Sequence, residues 1–502
     1  MTKLLIANRS EIALRIIRTC RKLGIQTVMV YSEPDRESMP LWYADERYAL
    51  GGATPAESYL NIPKLVQAAL ETGCDAIHPG YGFLSEDAAF VKACEENGLI
   101  FIGPSSSSLE KLANKLLARK TMKEAGVPLI PGSDEPLQDD DEALSMSRKI
   151  GYPVIIKAVY GGGGRGMRIA QTDEDVRRYF SITRMESRSA FGRAEIYVEK
   201  RLEHPRHVEI QAIADKNGKV VSLGERECSI QRRHQKLLEE APSMAVKQNL
   251  RVKLDEATKT GLSAAGYTNA GTVEFLLDAA GEFYFLEVNK RLQVEHLVTE
   301  LTTGIDIVEA QLSVALDSKL DLSQNEVKVN GWAINCRVNA EDPQRAFVPS
   351  PGAVVRYHPP SGPGVRVDSA LYSGHVIPEY YDSMVAKIAT WGRNREEAIH
   401  RMRCALDETE IVGVPTTVPL HRALMQDRQF LEGRFDTTYL DEFLPRLNER
   451  LLLLEKLAAA VAGATKLLRP TVTRPNMTIA EQSRWRACAR TQLIDSERGI
   501  RW

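Results

Sequence analysis

The chain has 502 residues, of which 43% are hydrophobic and 26% charged, with a formal net charge of −2 and a pI of about 6.6. A chain of this length needs about two to four domains, and its nearly neutral charge gives no reason to expect binding to nucleic acid or to an anionic membrane surface. The opening MTKLLIANRSEI turns polar too soon for a secretion signal, the apolar runs are too short to span a membrane, and the seven cysteines are scattered without a CxxC pair, so we expect a cytoplasmic protein with reduced thiols.

The first part of the chain alternates short apolar runs with amphipathic helical patterns. The runs KLLIA, TVMVYS, CDAIH and LIFIG are typical of strands, and the pattern EIALRIIRTCRKLG is typical of a helix. This order predicts an amino-terminal α/β domain with a parallel sheet and crossover helices. The glycine-rich HPGYGFLSE, residues 78–86, follows a strand and should lie at the carboxyl edge of that sheet, where ligands usually bind.

A second region begins with the pattern LEKLANKLLARKTMKEAG, which predicts one helix ending at Gly126. It is followed by IIKAVYGGGGRGMRIA, in which four consecutive glycines, Gly161–Gly164, separate two strand-like runs. Glycine lets a backbone approach a phosphate chain and direct N–H groups at it, and the Lys157 ammonium can neutralise phosphate charge. The spacing differs from that of a P-loop, and a flexible hairpin turn is the alternative interpretation.

The segment GTVEFLLDAAGEFYFLEVN is typical of a β-hairpin with its loop at Asp278–Gly281. Pairing of Leu277 with Glu282 would close this loop. In that register, Glu274 lies one diagonal step from Glu287 on the same face of the sheet. Diagonal neighbours are roughly 7–8 Å apart, so the two carboxylates can share one metal ion.

Polar side chains continue at every second position beyond this hairpin. The positions are occupied by Glu287, Asn289, Arg291, Gln293 and Glu295. Two carboxylates and an amide form a hard oxygen set, which suits Mg²⁺ or Mn²⁺ better than zinc. Phe283 and Phe285 fall on the same face by parity, so that face should begin in the core and end in a cleft. The alternative is an ordinary solvated β face, but in combination with the glycine loop an ATP site is the better interpretation.

A third block of strands and turns covers residues 329–445, and a tail covers residues 446–502. The segment Arg446–Arg469 is rich in Leu and Ala and predicts a helix. Its apolar positions near helical spacing are Leu447, Leu451, Leu454, Ala458 and Val461. The pattern leaves open whether this face packs on its own domain or docks on a partner.

Several of these motifs together resemble the biotin carboxylases, which are ATP-grasp enzymes. They are IIKAVYGGGGRGMR, EKRLEHPRHVEIQ, ERECSIQRRHQKLLEEAP, EVNKRLQVEH and YYDSMVAKI, and they follow the family's order within residues 1–445. The resemblance implies an α/β domain over 1–113, an ATP-grasp domain over 114–328 with a mobile lid at about 131–203, a carboxy-terminal α+β domain over 329–445 and a helical tail over 446–502. It also implies carboxylation of biotin on a separate carrier, with ATP and bicarbonate as substrates and carboxyphosphate as the intermediate.

The resemblance assigns roles to residues by their place in the motifs. The residues expected to bind ATP are Lys115, Lys157, Gly163, Gly164, Glu199, Lys200, Arg201, Leu202, His207, His234, Glu274 and Glu287. Those expected to hold two Mg²⁺ or Mn²⁺ ions are Glu274, Glu287 and Asn289. Those expected to bind bicarbonate are Lys236, Arg291, Gln293 and, through its backbone, Val294. Glu295 is expected to act as the base and Arg337 to meet biotin, which completes a catalytic set with Arg291 and Lys236.

Three residues depart from the family's pattern. Ser10 stands where the first turn usually has glycine, and Lys290 and Leu297 replace the usual Thr and Pro around the base. By parity, Lys290 points away from the catalytic face. Because no catalytic group is lost, we expect an active enzyme.

The implied reaction needs a biotin carrier and a carboxyltransferase. The biotinyl-lysine signature Ala-Met-Lys-Met does not occur in the sequence, so we expect both partners on separate chains, and the resemblance adds a homodimer. The final acceptor stays open between acetyl-CoA, propionyl-CoA and pyruvate. Two other functions also stay open at this point: an ATP-grasp ligase that joins a carboxylate to an amine, and a non-catalytic ATP-binding scaffold.

Overall fold

The structure, a computed structural model, describes residues 2–160, 166–317 and 319–468. Its first part is a five-stranded sheet in the order β3-β2-β1-β4-β5, and every pairing is parallel, as predicted. The strands are β1 (Lys3–Ile6), β2 (Gln26–Tyr31), β3 (Glu46–Ala49), β4 (Ala76–His78) and β5 (Ile100–Phe101), and the helices are α1 (Ser10–Lys22), α2 (Pro40–Tyr43), α3 (Ile62–Glu71) and α4 (Ala88–Glu96). Strand β3 was not predicted from the sequence, because it lies at the exposed edge of the sheet and has no apolar run.

Both faces of this sheet are covered, which explains the continuous apolar runs of its strands. Leu4 and Ile6 pack on one face with Ile16 of α1. Leu5 packs on the other face with Phe90 of α4. Helix α1 is thereby fixed against the sheet, with its first turn close to the carboxyl end of β1.

The single helix predicted ahead of the glycine loop is wrong, because this segment forms two helices. Helices α5 (Ser106–Ala113) and α6 (Lys115–Glu124) meet at Asn114, whose ψ of 111° leaves the helical path. The Asn114 side chain accepts hydrogen bonds from two backbone N–H groups of the next turn, at 3.0 Å each, and so caps α6. Lys115 therefore occupies the first turn of a helix instead of the middle of a longer one.

A small antiparallel sheet in the order β7-β6-β8 follows. It consists of β6 (Val154–Ala158), β7 (Met167–Ala170) and β8 (Ile196–Lys200), with α7 (Asp140–Ile150) and α8 (Asp173–Phe191). Val154, Ile156 and Val198 pack into a common core with both helices. The predicted glycine loop, including Gly163 and Gly164, lies outside the described residues.

The largest sheet is antiparallel and has the order β13-β12-β9-β10-β11-β14-β21-β19. Its strands, with the short ones between them in sequence, are β9 (Arg206–Ala214), β10 (Val220–Arg232), β11 (Gln235–Ala241), β12 (Asn269–Leu277), β13 (Phe283–Asn289), β14 (Trp332–Asn339), β15 (Glu341–Asp342), β16 (Val348–Pro349), β17 (Gly352–Ala353), β18 (Arg356–His358), β19 (Val365–Ser369), β20 (Val376–Ile377) and β21 (Met384–Gly392). Leu238 of β11 lies opposite Cys336 of β14, so the sheet runs unbroken across residue 328.

The remaining elements complete the second half of the chain. They are α9 (Gln248–Ala264), α10 (His296–Thr303), α11 (Ile307–Asp317), α12 (Arg395–Glu408), β22 (Glu410–Val412), α13 (Val418–Leu424), α14 (Arg428–Leu431) and α15 (Tyr439–Leu468). Helix α15 begins earlier than predicted and contains Pro445. The chain divides into two compact units, Met1–Phe443 and Leu444–Trp502. Within the described ranges, no helix combines the length and apolar character that crossing a bilayer requires.

Candidate active site

A cavity of about 980 Å³ is enclosed by the α/β part, the small sheet and the large sheet. Its walls carry most of the sequence-predicted site residues, namely Lys115, Lys157, Glu199, Lys200, Arg201, Leu202, His207, His234, Lys236, Glu274, Glu287, Asn289, Arg291, Gln293, Val294 and Arg337. Glu295 lies behind this wall, fully buried, and contacts Lys236 and Arg337. The loop after β4 contributes Tyr81 and Phe83, as its position at the carboxyl edge of the parallel sheet predicted.

The two predicted metal carboxylates lie directly opposite each other on adjacent strands. Glu274 of β12 pairs with Glu287 of β13, so they are closer neighbours than the predicted diagonal. The predicted register is wrong by one residue at the turn, because Leu277 pairs with Phe283 instead of Glu282, so the connection between the strands is one residue longer than expected. Gly281 makes this tight loop possible with a φ of 84°.

A β-bulge in β13 decides which side chains face the cavity. The register shifts between Phe285 and Glu287, so Leu286 is an extra residue on this strand. Leu286 and Glu287 both line the cavity, whereas Phe283 and Phe285 belong to the core. The prediction that these phenylalanines share a face with Glu287 is therefore wrong. The predicted alternation also ends early, because β13 stops at Asn289 and residues 290–295 form a loop.

The neighbours of the two carboxylates shift their pKa values in opposite directions. Glu274 Oε1 lies 2.7 Å from Lys236 Nζ, and Oε2 lies 3.0 Å from His207 Nε2. Burial favours protonation of Glu274, but Lys236 and His207 outweigh this effect and lower its pKa. The pKa of Glu287 is raised, because burial and the nearby charge of Glu274 both disfavour its anion. A divalent cation would relieve this repulsion, and Asn289, which donates to Glu274 Oε1 at 2.7 Å, has a carbonyl oxygen to add.

Lys236 is the cationic centre of the site. Its ammonium lies 2.7 Å from Glu274, 2.8 Å from Glu295 and 2.5 Å from Glu209. Burial alone would lower the pKa of Lys236, but these carboxylates raise it well above its ordinary value. Burial alone would likewise raise the pKa of Glu295, but Lys236 and Arg337 lower it well below its ordinary value. With Arg337 Nη2 at 3.0 Å from its second oxygen, Glu295 is an ionised carboxylate held between two cations.

Arg291 is oriented by a carboxylate from the amino-terminal part of the chain. Its Nε lies 2.9 Å from Glu86 Oε1, and its Nη1 donates to Gln293 Oε1 at 3.1 Å. Lys290 Nζ lies 2.9 Å from the other oxygen of Glu86. An extended strand would send Lys290 and Arg291 to opposite sides, but the loop lets both cations reach one carboxylate. Lys290 does not line the cavity, but the strand parity from which its orientation was predicted does not apply, because residues 290–295 form a loop.

Lys115 of α6 and Lys157 of β6 also line the cavity, on elements other than those that carry the carboxylates. Lys157 of β6 makes a very short ion pair with Glu199 of β8, and both side chains are buried. Lys115 Nζ lies 3.4 Å from the Ala158 carbonyl oxygen. Burial lowers the pKa of Lys115, and the charge of Glu287 opposes that effect only in part. Two lysines and a pair of carboxylates that line one cavity can bind a magnesium-bound polyphosphate.

His234 lies at the tip of a strained turn. The pairing of Arg232 with Gln235 leaves Arg233 and His234 as a two-residue connection between β10 and β11. Their φ angles are 49° and 66°, in the left-handed region that usually requires Gly or Asn. The large sheet thus holds His234 at the cavity at a cost in backbone energy, as is common at functional sites.

Glu209 and Glu239, like Glu86, are charged residues of the site that were not predicted. Glu209 lies opposite Glu274 in the sheet and is fully buried. Alternation in RHVEIQ could have found it, since it follows His207 by two positions on the same strand face. Glu239 contacts Arg337 Nε at 2.5 Å. Strand alternation gives no comparable signal for Glu239, because its partner is brought close only by the pairing of β11 with β14.

The departures from the family's pattern have structural explanations. Ser10 has a φ of 58° and lines the cavity, so the turn keeps a glycine-like conformation at a cost of about 1–2 kcal/mol. Leu297 is fully buried in the first turn of α10. Lys290 gains the ion pair with Glu86.

Three family models cover most of the chain. They are the biotin carboxylase N-terminal domain at residues 1–109, the carbamoyl-phosphate synthase L chain ATP-binding domain at 114–323 and the biotin carboxylase C-terminal domain at 335–442. Biotin carboxylase 1 of Bacillus subtilis is 51% identical over 442 residues, which is 88% of this chain and 98% of the relative. A pyruvate carboxylase subunit of Methanothermobacter thermautotrophicus is 48% identical over 442 residues, which is 88% of this chain and 90% of the relative.

Solved structures give the same result. The biotin carboxylase–β,γ-ATP complex of Campylobacter jejuni has a TM-score of 0.86 at 45% identity, over 88% of this chain and 98% of the other. The biotin carboxylase domain dimer of Hydrogenobacter thermophilus 2-oxoglutarate carboxylase, in complex with MgADP, ADP and bicarbonate, has a TM-score of 0.85 at 47% identity, over 88% of this chain and 97% of the other. The family models and these relatives show that the chain belongs to the biotin carboxylase family.

Proposed function

We propose that this protein carboxylates biotin on a separate carrier, using ATP and bicarbonate, with carboxyphosphate as the intermediate. The observation that carries the proposal is the position of Lys236. Its ammonium contacts both Glu274, one of the two proposed metal ligands, and the buried Glu295. Such an arrangement can place an anion beside a metal-bound nucleotide and a carboxylate base. The sequence relatives named biotin carboxylase support the same reaction.

The nucleotide is proposed to lie between the lysine side and the carboxylate side of the cavity. Lys115 and Lys157 bind its phosphates, residues 199–202 contact the adenine, and His207 and His234 complete the pocket. Gly163 and Gly164 are proposed to belong to a lid that excludes water from the labile intermediate. Glu274, Glu287 and Asn289 hold Mg²⁺ or Mn²⁺, which would spread the charge that develops on the transferred phosphoryl group.

The bicarbonate anion is proposed to bind at Lys236, Arg291, Gln293 and the backbone N–H of Val294. An anion that engages the Lys236 ammonium takes a share of its charge from Glu295. The carboxylate of Glu295 then loses part of the interaction that lowers its pKa, while burial, which raises the pKa, remains. Glu295 consequently becomes a stronger base when its substrate is present, and it can take the bicarbonate proton as the oxygen attacks the γ-phosphate.

Arg337 is proposed to bind the ureido oxygen of biotin. Its guanidinium is oriented by Glu239 and Glu295 on the cavity wall. Carboxyphosphate splits into carbon dioxide and phosphate, and the phosphate takes the N1′ proton of biotin. The Arg337 cation would stabilise the resulting enolate-like charge on the ureido oxygen while N1′ attacks the carbon dioxide.

The carrier and the carboxyltransferase are proposed to be separate chains, and the protein is proposed to be a cytoplasmic homodimer. The relative that is a pyruvate carboxylase subunit supports a complex of several chains, and the 2-oxoglutarate carboxylase domain was solved as a dimer. The domain division at 1–113, 114–328, 329–445 and 446–502 is part of the proposal, supported by the family-model matches. The final acceptor, whether acetyl-CoA, propionyl-CoA or pyruvate, binds to the transferase.

One assay separates the proposed function from its alternatives. Release of ADP is measured with bicarbonate, with and without free biotin, and with a set of simple amines in place of biotin. Stimulation by biotin is the expected result. Stimulation by an amine would indicate a carboxylate–amine ligase, and the absence of turnover under all conditions would indicate a scaffold.

A further inference from the structure

The loop that follows β13 is held by the carbonyl groups of its backbone. The carbonyl oxygen of Gln293 accepts a hydrogen bond from His296 Nδ1 at 2.8 Å and one from the His296 backbone N–H at 3.3 Å. In a trans peptide the C=O and the N–H point in opposite directions. The N–H of Val294, which belongs to the same peptide, therefore points away from His296, and Val294 lines the cavity.

The next carbonyl of the loop is held by a second buried group. The carbonyl oxygen of Val294 accepts a hydrogen bond from Lys387 Nζ at 3.1 Å. Lys387 lies on β21 and is fully buried. Its ammonium is also 3.1 Å from Glu11 Oε2 of α1 and 3.8 Å from Asp368 Oδ2 of β19. One ammonium thus joins the loop to the large sheet and to the amino-terminal α/β part.

The charges around the two groups fit these roles. His296 is fully buried, and its pKa is well below the ordinary value because of burial and the nearby Lys387, Arg15 and Arg366, with Asp368 opposing them. The neutral ring carries its proton on Nδ1, since a carbonyl oxygen can only accept. Neither His296 nor Lys387 lines the cavity, so neither is placed to touch a substrate.

We propose that His296 and Lys387 are positioning residues that hold two successive carbonyls of the 293–295 loop and thereby direct the Val294 N–H at the bicarbonate anion. This inference rests on the proposed function, because it assigns a purpose to the bicarbonate site. If the two side chains had a purely structural role, replacing them would lower the stability of the protein but would not selectively weaken the binding of bicarbonate. The distinction can be measured through the two Michaelis constants.

The test compares His296→Leu and Lys387→Met with His296→Asn. Asn places an amide N–H close to the position of Nδ1–H, whereas Leu removes the donor. Loss of one loop hydrogen bond should raise the KM for bicarbonate about tenfold in the Leu and Met variants, with the KM for ATP within about twofold of wild type. His296→Asn should bring the KM for bicarbonate most of the way back to the wild-type value.

Arg395→Met is the matched control, because Arg395 is a buried cation that is paired with Glu240 and does not line the cavity. It should lower stability and leave both constants unchanged.

The outcomes separate the inference from the function on which it rests. An unchanged KM for bicarbonate in the Leu and Met variants, or an equal rise in both constants, overturns the inference. Failure of wild type to release ADP overturns the proposed function. In that case the inference is tested by the rise in Tm that bicarbonate causes. We expect this rise in wild type and in Arg395→Met, and a much smaller rise in Lys387→Met. If Lys387→Met does not fold, the comparison of His296→Leu with His296→Asn decides it.

Discussion

A buried carboxyl next to the cavity should make the stability of the protein depend on pH. Glu11, in the first turn of α1, is 3% exposed, and its Oε2 lies 3.1 Å from Lys387 Nζ. Burial raises the pKa of Glu11 from its ordinary 4.5 to about 7, and Lys387 opposes only part of this effect. Between these two values the folded protein holds a proton at Glu11 that the unfolded chain has released. The contribution of Glu11 to stability therefore falls as the pH rises through this interval.

The magnitude follows from the two pKa values. A pKa shift of one unit corresponds to about 1.4 kcal/mol, so the shift of Glu11 from 4.5 to about 7 corresponds to roughly 3 kcal/mol of folding stability. This stabilisation is present at pH values below the lower pKa and is lost at pH values above the higher one. Glu11→Gln has nearly the same shape and stays neutral at every pH. Relative to wild type, the variant should therefore become more stable by up to roughly 3 kcal/mol as the pH is raised from about 5 to about 8.

Equilibrium urea unfolding of both proteins across this range is the assay. The buried His78 and His421, whose pKa values burial lowers to about 3 and about 4, make stability rise with pH in both proteins. Only the difference in the free energy of unfolding between variant and wild type therefore reports on Glu11. A difference that stays constant from pH 5 to pH 8 would refute this reasoning.

Three further predictions concern activity and assembly. Glu295→Gln should reduce bicarbonate-dependent ADP release about 10²–10⁴-fold, because the amide cannot accept the proton, while ATP binding measured by nucleotide fluorescence is retained. Lys290→Met should raise the KM for bicarbonate a few-fold in steady-state assays. Glu86 then pairs with Arg291 alone, so less of the positive charge of Arg291 remains to attract the bicarbonate anion. Truncation after Pro445 should leave biotin-stimulated ADP release intact and weaken co-purification with the carrier and transferase chains.

Each of these predictions has a control and a contradicting result. Glu309→Gln, at an exposed pair with Lys22, is the control for Glu295→Gln, and equal activity of Glu295→Gln and wild type would exclude Glu295 as the base. Lys22→Met removes the lysine of that same exposed pair, and an equal KM for bicarbonate in Lys290→Met and Lys22→Met would remove the assigned effect of Lys290. Unchanged co-purification of the truncated chain would show that residues 446–502 are not needed for assembly.

Local sequence patterns predicted which residues form the site better than they predicted how those residues are arranged. The order of apolar runs predicted the parallel sheet, and the motifs named the residues that the cavity brings together. The pairing of Glu274 with Glu287 was missed, because a register depends on the length of the loop and on the bulge at Leu286. The break at Asn114 was missed because apolar periodicity continues through both helices, and only the cap marks the boundary.

The sequence by itself determined most of the chemical groups that the cavity brings together, because lysine and carboxylate motifs are local patterns that can be recognised without the fold. The tertiary structure alone decided how those groups act on one another. Lys236 meets Glu209, Glu274 and Glu295 only when distant strands pair, and Lys387 reaches the Val294 carbonyl only across the large sheet. The shifted pKa values arise from this burial and proximity, because the interaction between charges depends on distances and on the exclusion of water, neither of which is written in the order of residues.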